Sequence, residues 1–141
     1  MPLAKTTKFA LLDTAIYIEN FRSGRFAFRL LQSPYIIRCS SVVLHELLRG
    51  ARTATERKFV LELSQRCQVV TPTDQQWLNA AEILHRLRRR EHYETVKLRE
   101  LAFDVLIALS ARSIGASVIT TNHADFRAIQ RELLFHLLCW E

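Results

Sequence analysis

Turn-forming residues are scarce in this chain, with 3 glycines and 3 prolines among 141 residues. So few breakers leave little room for long irregular loops. Cysteine is also sparse, and Cys39, Cys67 and Cys139 are odd in number and widely spaced. They read as buried free thiols of a reducing compartment, not as a disulfide framework. The histidines, His45, His85, His92, His123 and His136, lack the paired Cys/His spacing of a structural zinc site. Aromatics make up only 9% and are scattered, so a stacking platform for single-stranded nucleic acid is not evident. No apolar run approaches the ~20 residues of a membrane helix. The run that follows Lys5 and Lys8 stops at Asp13, too short for the core of a signal peptide. The expectation is a soluble, cytoplasmic protein.

Hydrophobic residues, at 49%, are enough for a real core, and the length fits one domain over residues 1–141. Lys plus Arg number 20 against 14 for Asp plus Glu, a net charge of +6. A basic balance fits a nucleic-acid partner, though it also serves solubility alone.

Short apolar runs alternate with longer helical ones. Strands are expected at 9–12, 35–39, 68–71, 117–121 and 134–140, and helices at 15–22, 25–32, 42–49, 54–65, 74–89, 96–114 and 125–131. Gly24 breaks the first helix, and Ser41 is placed to cap the third. Such alternation gives an α/β fold, a parallel sheet of about four or five strands flanked by helices. Ligands of such sheets bind beyond the carboxyl ends of the strands.

Four acids sit among apolar neighbours. Asp13 closes Phe9-Ala10-Leu11-Leu12, Glu46 interrupts Val42-Val43-Leu44-His45 and Leu47-Leu48, Asp104 splits Leu101-Ala102-Phe103 from Val105-Leu106-Ile107, and Asp125 follows Ser117-Val118-Ile119-Thr120-Thr121. A carboxylate in such company is costly unless hydrogen-bonded, paired or bound to metal. Each has a plain alternative. Asp13 and Asp125 could cap the helices after them. Glu46 could pair with Arg49 at i,i+3. Asp104 is harder to dismiss, as the only charge between Glu100 and Arg112 on a helix apolar nearly all round. Glu100, one turn earlier, could share the site or be its solvated edge. A shared divalent cation would explain all four acids, and carboxylate oxygens suit Mg²⁺ better than zinc.

The segments Leu11-Leu12-Asp13-Thr14, Ser41 to Leu47 with Gly50, Asp104-Val105-Leu106-Ile107-Ala108, and Thr120-Thr121-Asn122-His123-Ala124-Asp125-Phe126 resemble, in that order, the signatures of PIN-domain ribonucleases. Within that family the chain resembles the VapC toxins of toxin–antitoxin pairs. The likeness runs from about Phe9 to the C-terminus and leaves residues 1–8 as an N-terminal extension. Each motif is weak alone, but four in the right order on the right elements are specific. The resemblance implies a PIN fold with Asp13, Glu46, Asp104 and Asp125 as catalytic, metal-binding acids at the sheet's carboxyl rim. Thr14, Thr120 and Asn122 match positions that support such a site by hydrogen bonds. Ala15 departs from the family pattern, which commonly has Asn or Ser there, and removes one polar group beside the site.

The resemblance further implies hydrolysis of RNA phosphodiester bonds with Mg²⁺ or Mn²⁺, a homodimer, and a VapB-type antitoxin whose C-terminal segment lies by the acids. Phe21, Phe26, Phe28 and Leu31 could line that groove or a dimer seam, or be core. Candidates for contact with the RNA backbone are Arg22, Arg25, Arg29, Arg86, Arg88, Arg89 and Arg90; each could equally be a solvated helix face. Two other readings stay open: a PIN scaffold that binds RNA or protein without cutting, and a PIN nuclease of RNA processing with no antitoxin. A receiver-like phosphate site is disfavoured, because Asp13 has no acidic neighbour before Glu19.

Overall fold

A computed structural model describes residues 8–141. The expected extension over residues 1–8 therefore lies, except for Lys8, outside the described residues. The elements are β1 (Phe9–Leu12), α1 (Thr14–Ser23), α2 (Ala27–Leu31), β2 (Ile36–Ser40), α3 (Ser41–Gly50), α4 (Ala54–Arg66), β3 (Val69–Val70), α5 (Asp74–Glu91), α6 (Thr95–Ser113), β4 (Ser117–Thr120), α7 (His123–Gln130) and β5 (His136–Cys139). The strands form one sheet in the order β3-β2-β1-β4-β5, and every neighbouring pair is parallel.

Parallel strands covered on both faces read as near-continuous apolar runs, and β1 and the middle of β4 show it. Ala10, Leu11, Leu12, Val118 and Ile119 are all buried. Leu11 pairs with Arg38 on one side and Val118 on the other, so β1 lies at the centre of the sheet. The chain leaves β1 towards β2 and later returns on its other side as β4. That reversal opens a crevice between the carboxyl ends of β1 and β4. The backbone N–H of Asp13 donates to the Ile119 carbonyl at 2.9 Å, so the two rims are tied where the crevice begins.

Helix α6 packs against β1, β4, α3, α5 and α7. It is buried on most sides, through Leu101 and the whole run from Val105 to Ala111. A helix in that position can carry a charge only where it faces a cleft or a partner, and this is where Asp104 sits.

The structure corrects several local expectations. The cap of α3 is Ser40, not Ser41: Ser40 is extended and its hydroxyl accepts from the N–H groups of Val42 and Val43, while Ser41 is already helical. The second helix is shorter than residues 25–32. Phe26 stands before it in a non-helical conformation and is 1% exposed. Phe26 is therefore core and lines no groove, whereas Phe21, Phe28 and Leu31 are exposed. All three cysteines are free, but only Cys39 is buried. Burial pushes the Cys39 thiol up to about 12, which leaves it unreactive.

Candidate active site

Asp13 is the first residue after β1 and the N-cap of α1, so it is a cap as well as a rim acid. It is only 5% exposed. One oxygen, Oδ1, accepts from the Thr14 N–H at 2.8 Å. The other, Oδ2, accepts from the Thr120 hydroxyl at 2.8 Å, a bond across the crevice from the end of β4. Thr120 in turn accepts from the Asn122 N–H at 2.9 Å. One hydroxyl thus orients Asp13 and the start of the β4–α7 turn together.

Glu46 lies in the middle of α3, and the Thr14 hydroxyl donates to its Oε1 at 3.0 Å. It makes no ion pair with Arg49, whose guanidinium lies instead 5.7 Å from the centre of the Phe103 ring. Asp125 does not cap α7: it sits inside the first turn, and Asn122 holds the N-cap position. The Asn122 side-chain amide donates to Asp125 Oδ2 at 2.9 Å. Lys97 Nζ donates to Asp125 Oδ1 at 2.8 Å. Thus the side chains of Thr14, Thr120 and Asn122 each bond a different acid. Glu100 is the solvated edge, its side chain exposed and 4.0 Å from Lys97.

Asp104 differs from the other three. Among the described residues, no hydrogen bond or ion pair reaches its carboxylate. Burial raises its pKa to about 8, and the charges of Asp13, Glu46 and Asp125 add to the rise, with only slight relief from Lys97. Asp13 is raised to about 6, chiefly by burial, against the lowering effect of its bonds from Thr120 and Thr14. Asp125 falls below the usual range: burial acts to raise it, but the hydrogen bonds from Lys97 and Asn122 prevail. Lys97 is raised in turn by its bond to Asp125. The four acids therefore share one electrostatic site, since Asp104 responds to Asp13, Glu46 and Asp125, and Asp13 to Glu46 and Asp125.

Among the described residues, no three His, Cys, Asp or Glu side chains are drawn up as a ready-made cation shell. The hydrogen bonds give the reason: Asp125 is turned onto Lys97 and Asn122, and Glu46 onto Thr14. The chemistry of the set still fits a hard divalent ion. It offers only oxygens, its two central carboxyls are destabilised as anions, and Asp104 has a carboxylate without a donor.

Lys97 is the residue that sequence reasoning missed. A signal was present: Lys97 precedes Asp104 by seven residues, which puts both on one face of α6. The arginine candidates divide. Arg86 and Arg90 are engaged with Glu132 at 3.0 and 3.2 Å. Arg25 lies over Phe26 and Arg29 over Trp140. Arg22, Arg88 and Arg89 show no such pairing among the described residues. Beside Glu46 a small cavity of about 80 Å³ is lined by Tyr17, Ile18, Phe21, Arg22 and Phe59, among others.

The model of the PIN domain family matches residues 10–132. No curated protein matches the chain. Among solved structures, the chain is similar to one in VapBC-1 from nontypeable Haemophilus influenzae, at 23% identity over 94% of this chain and 98% of that one, with a TM-score of 0.70. It is similar to one in VapBC2 from Rickettsia felis bound to a promoter DNA fragment, at 20% identity over 94% and 99%, with a TM-score of 0.69. It is similar to one in DNA-bound VapBC from Salmonella typhimurium, at 24% identity over 96% and 100%, with a TM-score of 0.67. At these identities the likeness is one of fold. The family match rests on the sequence itself, runs from β1 to beyond the end of α7, and takes in all four acids: the chain belongs to the PIN domain family.

Proposed function

We propose that this chain is a Mg²⁺- or Mn²⁺-dependent endoribonuclease, the toxin of a VapBC-type pair, acting in the cytoplasm as a homodimer and silenced by a VapB-type antitoxin. The observation that carries the nuclease reading is Asp104. A half-buried carboxylate with no donor from the protein among the described residues, raised to about 8 beside three other acids, is a poor resident of a site meant to stay free of cations.

Asp13 and Asp104 would hold the cation, with Glu46 and Asp125 completing the shell or orienting the attacking water. A divalent ion bound there supplies positive charge that offsets the scissile phosphate and acidifies water. The chain's own part is positional. Thr120 fixes the direction of Asp13, Thr14 that of Glu46, and Asn122 with Lys97 that of Asp125. The basic residues, Arg22, Arg88 and Arg89 foremost, attract the RNA backbone that four carboxylates would otherwise repel.

The antitoxin reading is supported by the VapBC structures of similar fold and by the apolar cavity beside Glu46. A peptide seated there would bring a basic side chain within reach of the acids. A second reading, the non-cutting scaffold, is favoured by Ala15 and by the engagement of Asp125 with Lys97.

Cleavage of total RNA by the purified chain, with Mg²⁺, Mn²⁺ or EDTA, separates them. Discrete fragments that require metal and vanish in Asp104→Asn support the nuclease. No metal-dependent cutting by a folded chain supports the scaffold. Co-purification with the product of a small neighbouring gene separates a toxin from an RNA-processing nuclease.

A further inference from the structure

Both oxygens of Asp125 are taken by donors of the protein itself, Lys97 Nζ at 2.8 Å and Asn122 Nδ2 at 2.9 Å. Asp104, on the other wall, has no donor among the described residues. The asymmetry is set by α6, which presents Lys97 and Asp104 two turns apart on one face. We propose that Lys97 is the site's resident cation: its ammonium neutralises Asp125 and competes with a divalent ion for that carboxylate. The proposal rests on the metal-site reading above.

An ordinary salt bridge pinning α6 to α7 is the competing account. The bond itself fits either account: Lys97 has an acid on its own helix at i,i+3, Glu100, yet stands 4.0 Å from it and 2.8 Å from Asp125 on α7. The Asp125 side chain is only 18% exposed, and the charge of Lys97 acts on Asp104 as well, so the bridge belongs to the acid cluster. The cluster then holds four carboxylates against one ammonium. A lysine tethered in this way lowers the negative charge that a metal ion meets, and it occupies one of the oxygens the ion would take.

The two accounts predict opposite signs. If Lys97 competes with metal, its removal strengthens metal binding. If it merely positions Asp125 or braces the helices, its removal weakens binding or leaves it unchanged. The measurement is Mn²⁺ affinity of the full chain by electron paramagnetic resonance, for wild type, Lys97→Met, Lys97→Arg and the double variant Lys97→Met/Asp125→Asn. Thermal melts would verify that each is folded. Lys97→Met is expected to bind Mn²⁺ on the order of tenfold tighter, the scale of one adjacent charge in a partly screened site. Lys97→Arg should behave as wild type, and the double variant should lose the gain. Binding by Lys97→Met but not by wild type would support the proposal equally. Unchanged or weaker binding in Lys97→Met, or a gain that survives loss of the Asp125 charge, overturns it while leaving the metal site intact. Absence of Mn²⁺ binding in all four proteins overturns both.

Discussion

Asp104 sets burial against charge, and the conflict has a pH signature. Its ordinary value is 3.8 and its folded value about 8, so between them the folded chain keeps a proton that the unfolded chain has released. Stability from this group is fully present below about pH 4 and is lost as pH rises through 8. Asp13, raised to about 6, adds a smaller loss over the lower part of that window. Metal-free protein should therefore melt at progressively lower temperature from pH 5 to pH 8.5. Asp104→Asn should flatten that slope and stabilise the metal-free chain at pH 8 by roughly 2 kcal/mol. Thermal denaturation in EDTA across that range measures both effects. The four acids were legible in the sequence because a carboxylate amid Leu, Val and Phe stands out along the chain. Lys97 was not, because one lysine among 20 cationic residues has nothing local to mark it. Its partner Asp125 lies 28 residues away and is found only when α6 and α7 pack.

At the level of elements, the strands and the long helices followed from apolar periodicity, while their ends depended on chemistry the pattern does not carry. Ser40 and Ser41 are adjacent and equally good caps by type. Which one caps is settled by where β2 stops, because the capping residue must still be extended. Ser40 bonds two N–H groups of α3, the helix that carries Glu46. Ser40→Ala should cost about 1 kcal/mol in urea denaturation, with Mn²⁺ affinity little changed if the rest of α3 holds Glu46 in place. Phe26 shows the same limit. Its neighbours Ala27, Phe28 and Arg29 are exposed, so periodicity could not reveal that this one ring turns inward against Trp140.

Across the whole molecule, the parallel sheet and its rim were readable because the strand–helix alternation admits few topologies, and the β1–β4 crevice follows from the strand order. The surface was less readable. Charge alone could not distinguish Arg86 and Arg90, spent on Glu132, from Arg88 and Arg89, which are free of such pairing among the described residues. RNA binding to Asp104→Asn, which retains the surface but not the proposed activity, should weaken steeply with salt. Loss of Arg88 and Arg89 together should lower the slope of log K against log salt by about 1.4, if each meets one phosphate of a single strand. An unchanged slope would assign the contact to other residues. Phe28, Leu31, Trp77 and Leu78 leave apolar area exposed, which accords with the proposed homodimer or an antitoxin without choosing between them.

The most direct test of the central claim, that these carboxylates are arranged for a divalent cation, is thermal denaturation at pH 8 with and without millimolar Mn²⁺. Wild type should gain several degrees from the ion, because binding to the folded state alone stabilises it. Asp104→Asn should gain little and should be the more stable of the two in EDTA. An equal gain in both proteins, or none in wild type, would contradict the claim.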